Sequence, residues 1–466
     1  MSDQPADDAP TSTEVDRSRQ HRRVSSSVAT GLVCGVATLL LGLIRIGRAF
    51  GYDEGFTYYY FIRGGSVRRA LTTQIVFNNH PMFSAIQAVA WRLGLVSEQA
   101  QRLGPALCGA IAVGLVAWFV ARHVGAVAGV AAGVVLALNP IFLDQFRQLR
   151  GYALATAAVV AAGAALWRSW DDHRLRWLII QGALMVIAVT THAYSALTLL
   201  MLAAASIALR RVRPAHFSTW LAAAVVAIGI TFPLIDDIRA NTEARGNRYL
   251  ADFPLELARE FIGWSWPAVA VIGLAVVTGI VTLSMRSKQH LMAVAVSGAI
   301  LVGAVAIMWQ VVQPYDLYVR FFVSAMPLVA ALAGFGVARL PRPAQVVVVI
   351  AMVWALLPGA LEVLDSQPRT REAAALVNIV RAEGLEVCGS NAEPLFVYTS
   401  PFPQVSDNGD LASCDVYVSV LGLGAEQRAR LATRFEDHIT LRGGIIIWAD
   451  SGEIDRLERS GKVPAN

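Results

Sequence analysis

Residues 178–209 read LIIQGALMVIAVTTHAYSALTLLMLAAASIAL, thirty-two positions without a lysine, arginine, aspartate or glutamate. As one helix this stretch would measure about 48 Å at 1.5 Å per residue, too long for a hydrocarbon core of about 30 Å. A single crossing would also carry Arg210, Arg211 and Arg213 to the side opposite the other short basic connections. Two short helices broken near Thr191-His192-Ala193-Tyr194 satisfy both constraints. That reading fixes the parity of the whole chain.

Working outward, apolar windows fall at 28–49, 104–121, 124–142, 151–167, 177–190, 193–209, 217–235, 266–285, 291–312, 319–338 and 344–363, which predicts about eleven spans. The connections Arg122-His123, Arg168 to Arg176, Arg210 to Arg213, Arg286-Ser287-Lys288 and Arg339 to Arg342 then share the side of the amino terminus. All carry basic residues, as cytoplasmic loops do. The segment 236–265, on the other side, mixes acids and bases evenly. With 55% hydrophobic and 16% charged residues, the 466-residue chain lies outside the soluble globular class. Its net charge of +5 is dispersed between apolar runs rather than gathered on one face, so no nucleic-acid partner is expected.

The ends differ from the middle. Residues 1–27 are polar, with Arg17, Arg19, Arg22 and Arg23, and read as a disordered cytoplasmic tail. The apolar run that follows has no small-residue cleavage motif and reads as a retained first span. Residues 28–365 form the membrane body, with a long outer loop at 51–103. In that loop Val67 to Val76 and Pro81 to Leu95 have helical spacing and read as surface-lying helices that wall a cavity. Residues 366–466 read as a small extracytoplasmic α/β domain: a helix at Arg369–Ala382, strands at Leu385–Cys388, Asp415–Val420 and Ile445–Trp448, and a helix at Ala425–Asp437. Cys34 and Cys108 lie in spans. Cys388 and Cys414 lie in the outer domain, where a disulfide is permitted and two buried thiols are the alternative.

On this topology the chemistry-bearing residues gather at one face. Asp53 and Glu54 open the first outer loop, in Phe50-Gly51-Tyr52-Asp53-Glu54-Gly55-Phe56. Carboxylates at a membrane face are costly unless they pair, coordinate or react. Asn78-Asn79-His80-Pro81 follows in the same loop, then Arg147-Gln148-Leu149-Arg150-Gly151-Tyr152, the turn with His192 and Tyr194, and Tyr318-Val319-Arg320-Phe321. Arg45 and Arg48 read as snorkelling anchors. Tyr58, Tyr59, Tyr60, Trp264 and Trp266 read as an interfacial aromatic belt.

Asp-Glu after the first span, His-Pro in the first loop, Arg-x-Tyr-Ala-Leu and Thr-His-x-Tyr, in this order, resemble the GT-C membrane glycosyltransferases. The similarity is to the group of dolichyl-phosphate-mannose protein mannosyltransferases and the lipid A aminoarabinose transferase, and it is best over residues 50–200. The resemblance implies a polytopic α-helical enzyme moving a monosaccharide from a polyprenyl-phosphate donor to a hydroxyl acceptor, usually with inversion. It implies Asp53 as the base and Glu54 as a group orienting the acceptor or a positively charged neighbour. Arg150, Tyr152 and Arg320 are assigned to the donor phosphate, and His80, His192 and Tyr194 to substrate. The Ala-, Val- and Arg-rich composition points to a bacterium with GC-rich coding sequence, and the resemblance then implies a plasma-membrane enzyme with an envelope glycan, lipid or protein as acceptor.

One position departs from the pattern. Related sequences carry an acid two residues before the arginine of Arg-x-Tyr, where this chain has Gln148, with Asp144 one turn earlier. No metal cofactor is expected to be required, although a divalent cation is known in parts of the superfamily. Two rival readings are a transporter and a non-catalytic scaffold. Gathering of charge at one face and the lack of an internal repeat weigh against the first. Gln148 keeps the second open.

Overall fold

The computed structural model describes residues 12–75, 79–245, 251–312, 317–404, 411, 413–420, 425–441 and 445–459. Helix occupies every one of the apolar windows. Among the described residues eight helices are long and apolar enough to cross a membrane. A ninth span results if Ala126–Leu138 and Pro140–Arg147, bent by 66°, are taken together. The stretch that sets the parity is two shorter apolar helices, Leu175–Thr191 and Ser195–Ala208, broken where the length argument requires.

The bend at Asn139 has a local cause. Pro140 cannot continue the preceding helix, whereas it suits the first turn of a new one. The Asn139 side chain caps that turn by accepting from the amides of Ile141 (3.0 Å) and Phe142 (3.3 Å). The first helix runs Ser12–Leu43 and so begins ahead of the first apolar window. Extending an existing helix avoids the cost of nucleation, so polar residues can follow an apolar span into the same helix.

Alanine and glycine let the helices approach closely. The central core joins Ala112, Val116, Ala128, Ala132, Phe142, Phe146, Phe322 and Ala330 across the bundle. Arg147, 1% exposed, ties helix ends together: its guanidinium donates to the carbonyls of Val363 (2.5 Å) and Ile44 (3.0 Å). Arg45 pairs with Asp365 at 2.7 Å, and Arg48 donates to the Arg147 carbonyl at 3.1 Å. Both therefore have protein partners.

The carboxyl-terminal unit carries one four-stranded sheet. Its strands are β1 (Val387–Ser390), β2 (Val416–Ser419), β3 (Asp437–Leu441) and β4 (Ile445–Ala449), in the order β1-β2-β4-β3. β1 and β2 are parallel, and the other two pairings are antiparallel. Cys388 and Cys414 are joined by a disulfide. The sequence reading omits β3 and the last helix, Ser451–Arg459, and runs the preceding helix past its end at Arg434. β3 is an edge strand that buries only Ile439 and Leu441, too weak a pattern to register.

This unit sits directly on the loop that bears Asp53. Tyr398 donates from its hydroxyl to Glu98 (3.0 Å) and accepts from the Phe50 amide (2.8 Å), while Thr370 donates to the Phe50 carbonyl (2.5 Å). A Cβ on Gly55 would lie 2.7 Å from the Pro394 Cβ, so only glycine permits this approach. Tyr59 meets Phe396 edge-on at 5.6 Å, and Tyr58 is buried. Neither forms an exposed belt.

Candidate active site

Asp53 and Glu54 lie on one short helix, Tyr52–Thr57, yet face different surroundings. Glu54 is 2% exposed. Both its oxygens are engaged by Arg102, with Nε–Oε1 at 2.7 Å and Nη2–Oε2 at 2.9 Å. The amides of Leu149 (2.8 Å) and Gly51 (3.0 Å) donate to the same carboxylate. Burial alone would raise its pKa, but Arg102, Arg48 and the hydrogen bonds hold it down at about 2. The remaining Arg102 donors go to the carbonyls of Ile46, Arg48 and Ala49. Glu54 is thus anchored to a positive neighbour and has no face left for an acceptor.

Asp53 remains partly open, its side chain 23% exposed. Its Oδ2 lies 3.1 Å from Nη1 of Arg320, and its Oδ1 lies 3.6 Å from Nη1 of Arg150. It lines a cavity of about 380 Å³ together with Arg48, Asp144, Gln148, Tyr318 and Arg320. Arg150 is almost fully buried, and its Nε and Nη1 have no hydrogen-bond partner among the described residues. The same is true of the Arg320 Nε and the Tyr152 hydroxyl. Buried donors are normally satisfied, so such a group points to something bound there. Guanidinium groups with free donors are suited to a phosphate.

Beside them is an aromatic cluster. Tyr152 packs under Arg150, its ring 5.6 Å from the guanidinium carbon, and meets His80 at 4.7 Å and His192 at 4.8 Å. His192 continues to Tyr194 at 5.6 Å, and both touch Phe321. Gly151 makes this convergence possible. A Cβ there would come within 2.7 Å of both His80 and Thr191. His80 is buried, its Nδ1 is 3.1 Å from the Thr191 carbonyl, and its Nε2 has no partner among the described residues. Burial, with the positive charge of Arg150, drives its pKa well below the ordinary value, so the ring is neutral at pH 7. Asn79 instead secures the loop, donating to the carbonyls of Ala70 and Thr73. Asn78 lies outside the described residues.

The structure therefore brings Asp53, Arg150, Tyr152 and Arg320 together and sets His80, His192 and Tyr194 alongside through Tyr152, while Glu54 borders the Asp53 cavity with its carboxylate taken up by Arg102. The sequence reading misses Arg102 and leaves Arg48 outside the site whose cavity it lines. Arg102, close to the start of a long apolar helix, gave the available signal, since a charge there demands a partner. Gln148 donates to Asp144 at 2.5 Å, and Asp144 lines the Asp53 cavity. A carboxylate one turn before position 148 thus borders the same cavity. Among the described residues no three His, Cys, Asp or Glu side chains converge into a metal-holding group.

Comparison with known proteins bears on part of the sequence and on the fold. The family model for dolichyl-phosphate-mannose-protein mannosyltransferase matches residues 78–235. In fold the chain is similar to the solved structures that follow, and its long apolar helices make it a multi-pass membrane protein. Among solved structures, ArnT from Cupriavidus metallidurans in the apo state is similar with a TM-score of 0.61 and 14% identity, over 91% of this chain and 98% of that one. ArnT bound to undecaprenyl phosphate gives 0.61 and 14%, over 90% and 97%. The apo oligosaccharyltransferase of Archaeoglobus fulgidus gives 0.51 and 11%, over 80% and 64%. No curated protein matches.

Proposed function

We propose that the protein transfers a monosaccharide from a polyprenyl-phosphate donor to a hydroxyl of a cell-envelope acceptor, with inversion. The observation that carries this reading is Asp53 seated between Arg150 and Arg320, next to buried donors that lack partners. The undecaprenyl phosphate found in a structure of similar fold supports a lipid-phosphate donor.

In this mechanism the donor phosphate occupies the Arg150, Arg320 and Tyr152 donors. Drawing the guanidinium groups towards phosphate weakens their hold on Asp53 and frees its carboxylate to act as a base. Asp53 takes the acceptor proton as the acceptor oxygen attacks the anomeric carbon opposite the phosphate. The carbon–oxygen bond to phosphate breaks, and polyprenyl phosphate leaves with the electron pair. Arginine then meets the released charge in a site of low dielectric, where the interaction is strongest. His80, His192 and Tyr194 shape the wall next to Tyr152.

The amino terminus is assigned to the cytoplasm and the terminal unit, residues 366–466, to the exterior of a bacterial plasma membrane. The basic connections and the Cys388–Cys414 disulfide support that orientation, since disulfides persist in oxidising compartments.

The test is turnover of radiolabelled polyprenyl-phosphate sugars in membranes holding the wild type or Asp53→Asn. Label transfer to an envelope product by the wild type alone is expected. Equal transfer by both would remove Asp53 as the base. Donor binding without transfer by the wild type would favour a scaffold.

A further inference from the structure

A second cavity, of about 550 Å³, adjoins the first and shares Asp144, Tyr318, Arg320, Val363 and Ser366 with it. Its own wall adds Gln145, Glu256, Glu260, Trp264 and Glu362. We propose that this cavity is the acceptor subsite and that its ligand is an uncharged, hydroxyl-rich carbohydrate. The proposal rests on the transferase reading and names the substrate class that reading leaves open.

The wall is rich in hydrogen-bond acceptors. Four carboxyl groups face one guanidinium, Arg320, which already pairs with Asp53. An anionic ligand is therefore repelled here, in contrast to the Arg150 end of the site. Gln145 supplies an independent sign of a ligand. It is 3% exposed, its Nε2 donates to Asp144 at 3.1 Å, and its Oε1 meets no donor among the described residues. A buried acceptor without a donor is costly, and a ligand hydroxyl would satisfy it.

Two features favour hydroxyl groups over a cation. Burial and the neighbouring Glu256 push Glu260 up to about 7, so the Glu260 carboxyl is partly protonated near neutral pH. A carboxyl group in that state both donates and accepts, as a hydroxyl does. Trp264 adds an indole, 42% exposed, at φ +70°, a conformation rarely taken by a bulky residue. An aromatic face beside convergent polar groups matches a sugar ring, which is apolar on its faces and polar at its rim.

The test uses the full chain in nanodiscs and saturation-transfer NMR with three probes: methyl mannopyranoside, methyl arabinofuranoside and a protonated methyl aminoglucoside. Ring-proton saturation of a neutral glycoside is expected for the wild type. Trp264→Ala and Glu256→Ala are each expected to weaken it by about tenfold, the first through the lost aromatic face and the second through a lost hydrogen bond to a charged group. Undecaprenyl phosphate binding should stay within about twofold in both variants, since the lost contacts lie outside the phosphate end, which also shows that they are folded. Saturation of neither neutral glycoside, of the amino sugar alone, or unchanged in both variants would overturn the proposal. Failure of the wild type to bind undecaprenyl phosphate would instead strike the transferase reading and leave the glycoside result standing.

Discussion

Glu54 and Arg102 meet through two parallel hydrogen bonds, 2.7 and 2.9 Å long, with both side chains almost fully buried. The pair joins the Asp53 loop to the helix Glu98–Val124 at a point where water cannot compensate either charge. Removing one partner from such a pair costs about 3–5 kcal/mol, because the other is left uncompensated. Glu54→Gln should therefore lower the melting temperature of the purified protein sharply, and Glu54→Leu/Arg102→Met should recover much of the loss.

The same pair predicts an acid limb in stability. The Glu54 carboxyl has a folded pKa of about 2, below the ordinary glutamate value of about 4.3. A depressed pKa gives stability that is complete above the unfolded value and is lost as pH falls towards the folded one. Unfolding followed from pH 6 to pH 2 should show this loss between about 4 and 2. The limb should be absent from Glu54→Gln.

For Asp53→Asn, loss of turnover with retained fold is expected. A positioned general base contributes about 10²–10⁴-fold to rate, and kcat should fall on that scale. Undecaprenyl phosphate should bind the variant at least as tightly as the wild type, because Arg150 and Arg320 lose a competing carboxylate. Equilibrium binding measured beside single-turnover rates separates the two effects.

Arg150→Lys should behave almost as badly as Arg150→Ala towards the lipid phosphate. Lysine keeps the charge but lacks the planar fork and the packing on Tyr152. Losing charge-assisted hydrogen bonds of about 1.5–3 kcal/mol weakens binding by roughly 10–100-fold. A lysine variant with wild-type affinity would show that charge alone suffices.

Cys388→Ser should destabilise the terminal unit. The disulfide closes a loop with a sequence separation of 26 residues, and constraint of such a loop in the unfolded chain is worth about 3.5 kcal/mol. Protease sensitivity of residues 366–466, compared with and without reductant, reads this directly. Reductant should make the wild type resemble the variant.

The spans were legible because a bilayer demands long apolar windows and because thirty-two uncharged residues could not be one crossing. That Asp53, Arg150 and Arg320 lie on one side was legible from the topology, and the resemblance singled them out there; the structure places Asp53 within 3.6 Å of both arginines. What escaped was pairing across sequence distance. Nothing in the local pattern around Glu54 shows that Arg102, 48 positions away, fills its coordination. Nor does the pattern at Gln148 show that Asp144 lies against the same cavity, which depends on how the bend at Asn139 aims the short helix Pro140–Arg147. β3 and the final helix were too short and too polar to stand out.

The approach of Gly55 to Pro394 makes the seat of Asp53 the joint property of two units. Chains that exchange terminal units by recombination would have to exchange this contact with them. A donor unit carrying a bulkier turn would displace the Asp53 helix even if its own sheet folded faultlessly. A grafted terminal unit therefore needs a loop that offers glycine at this contact.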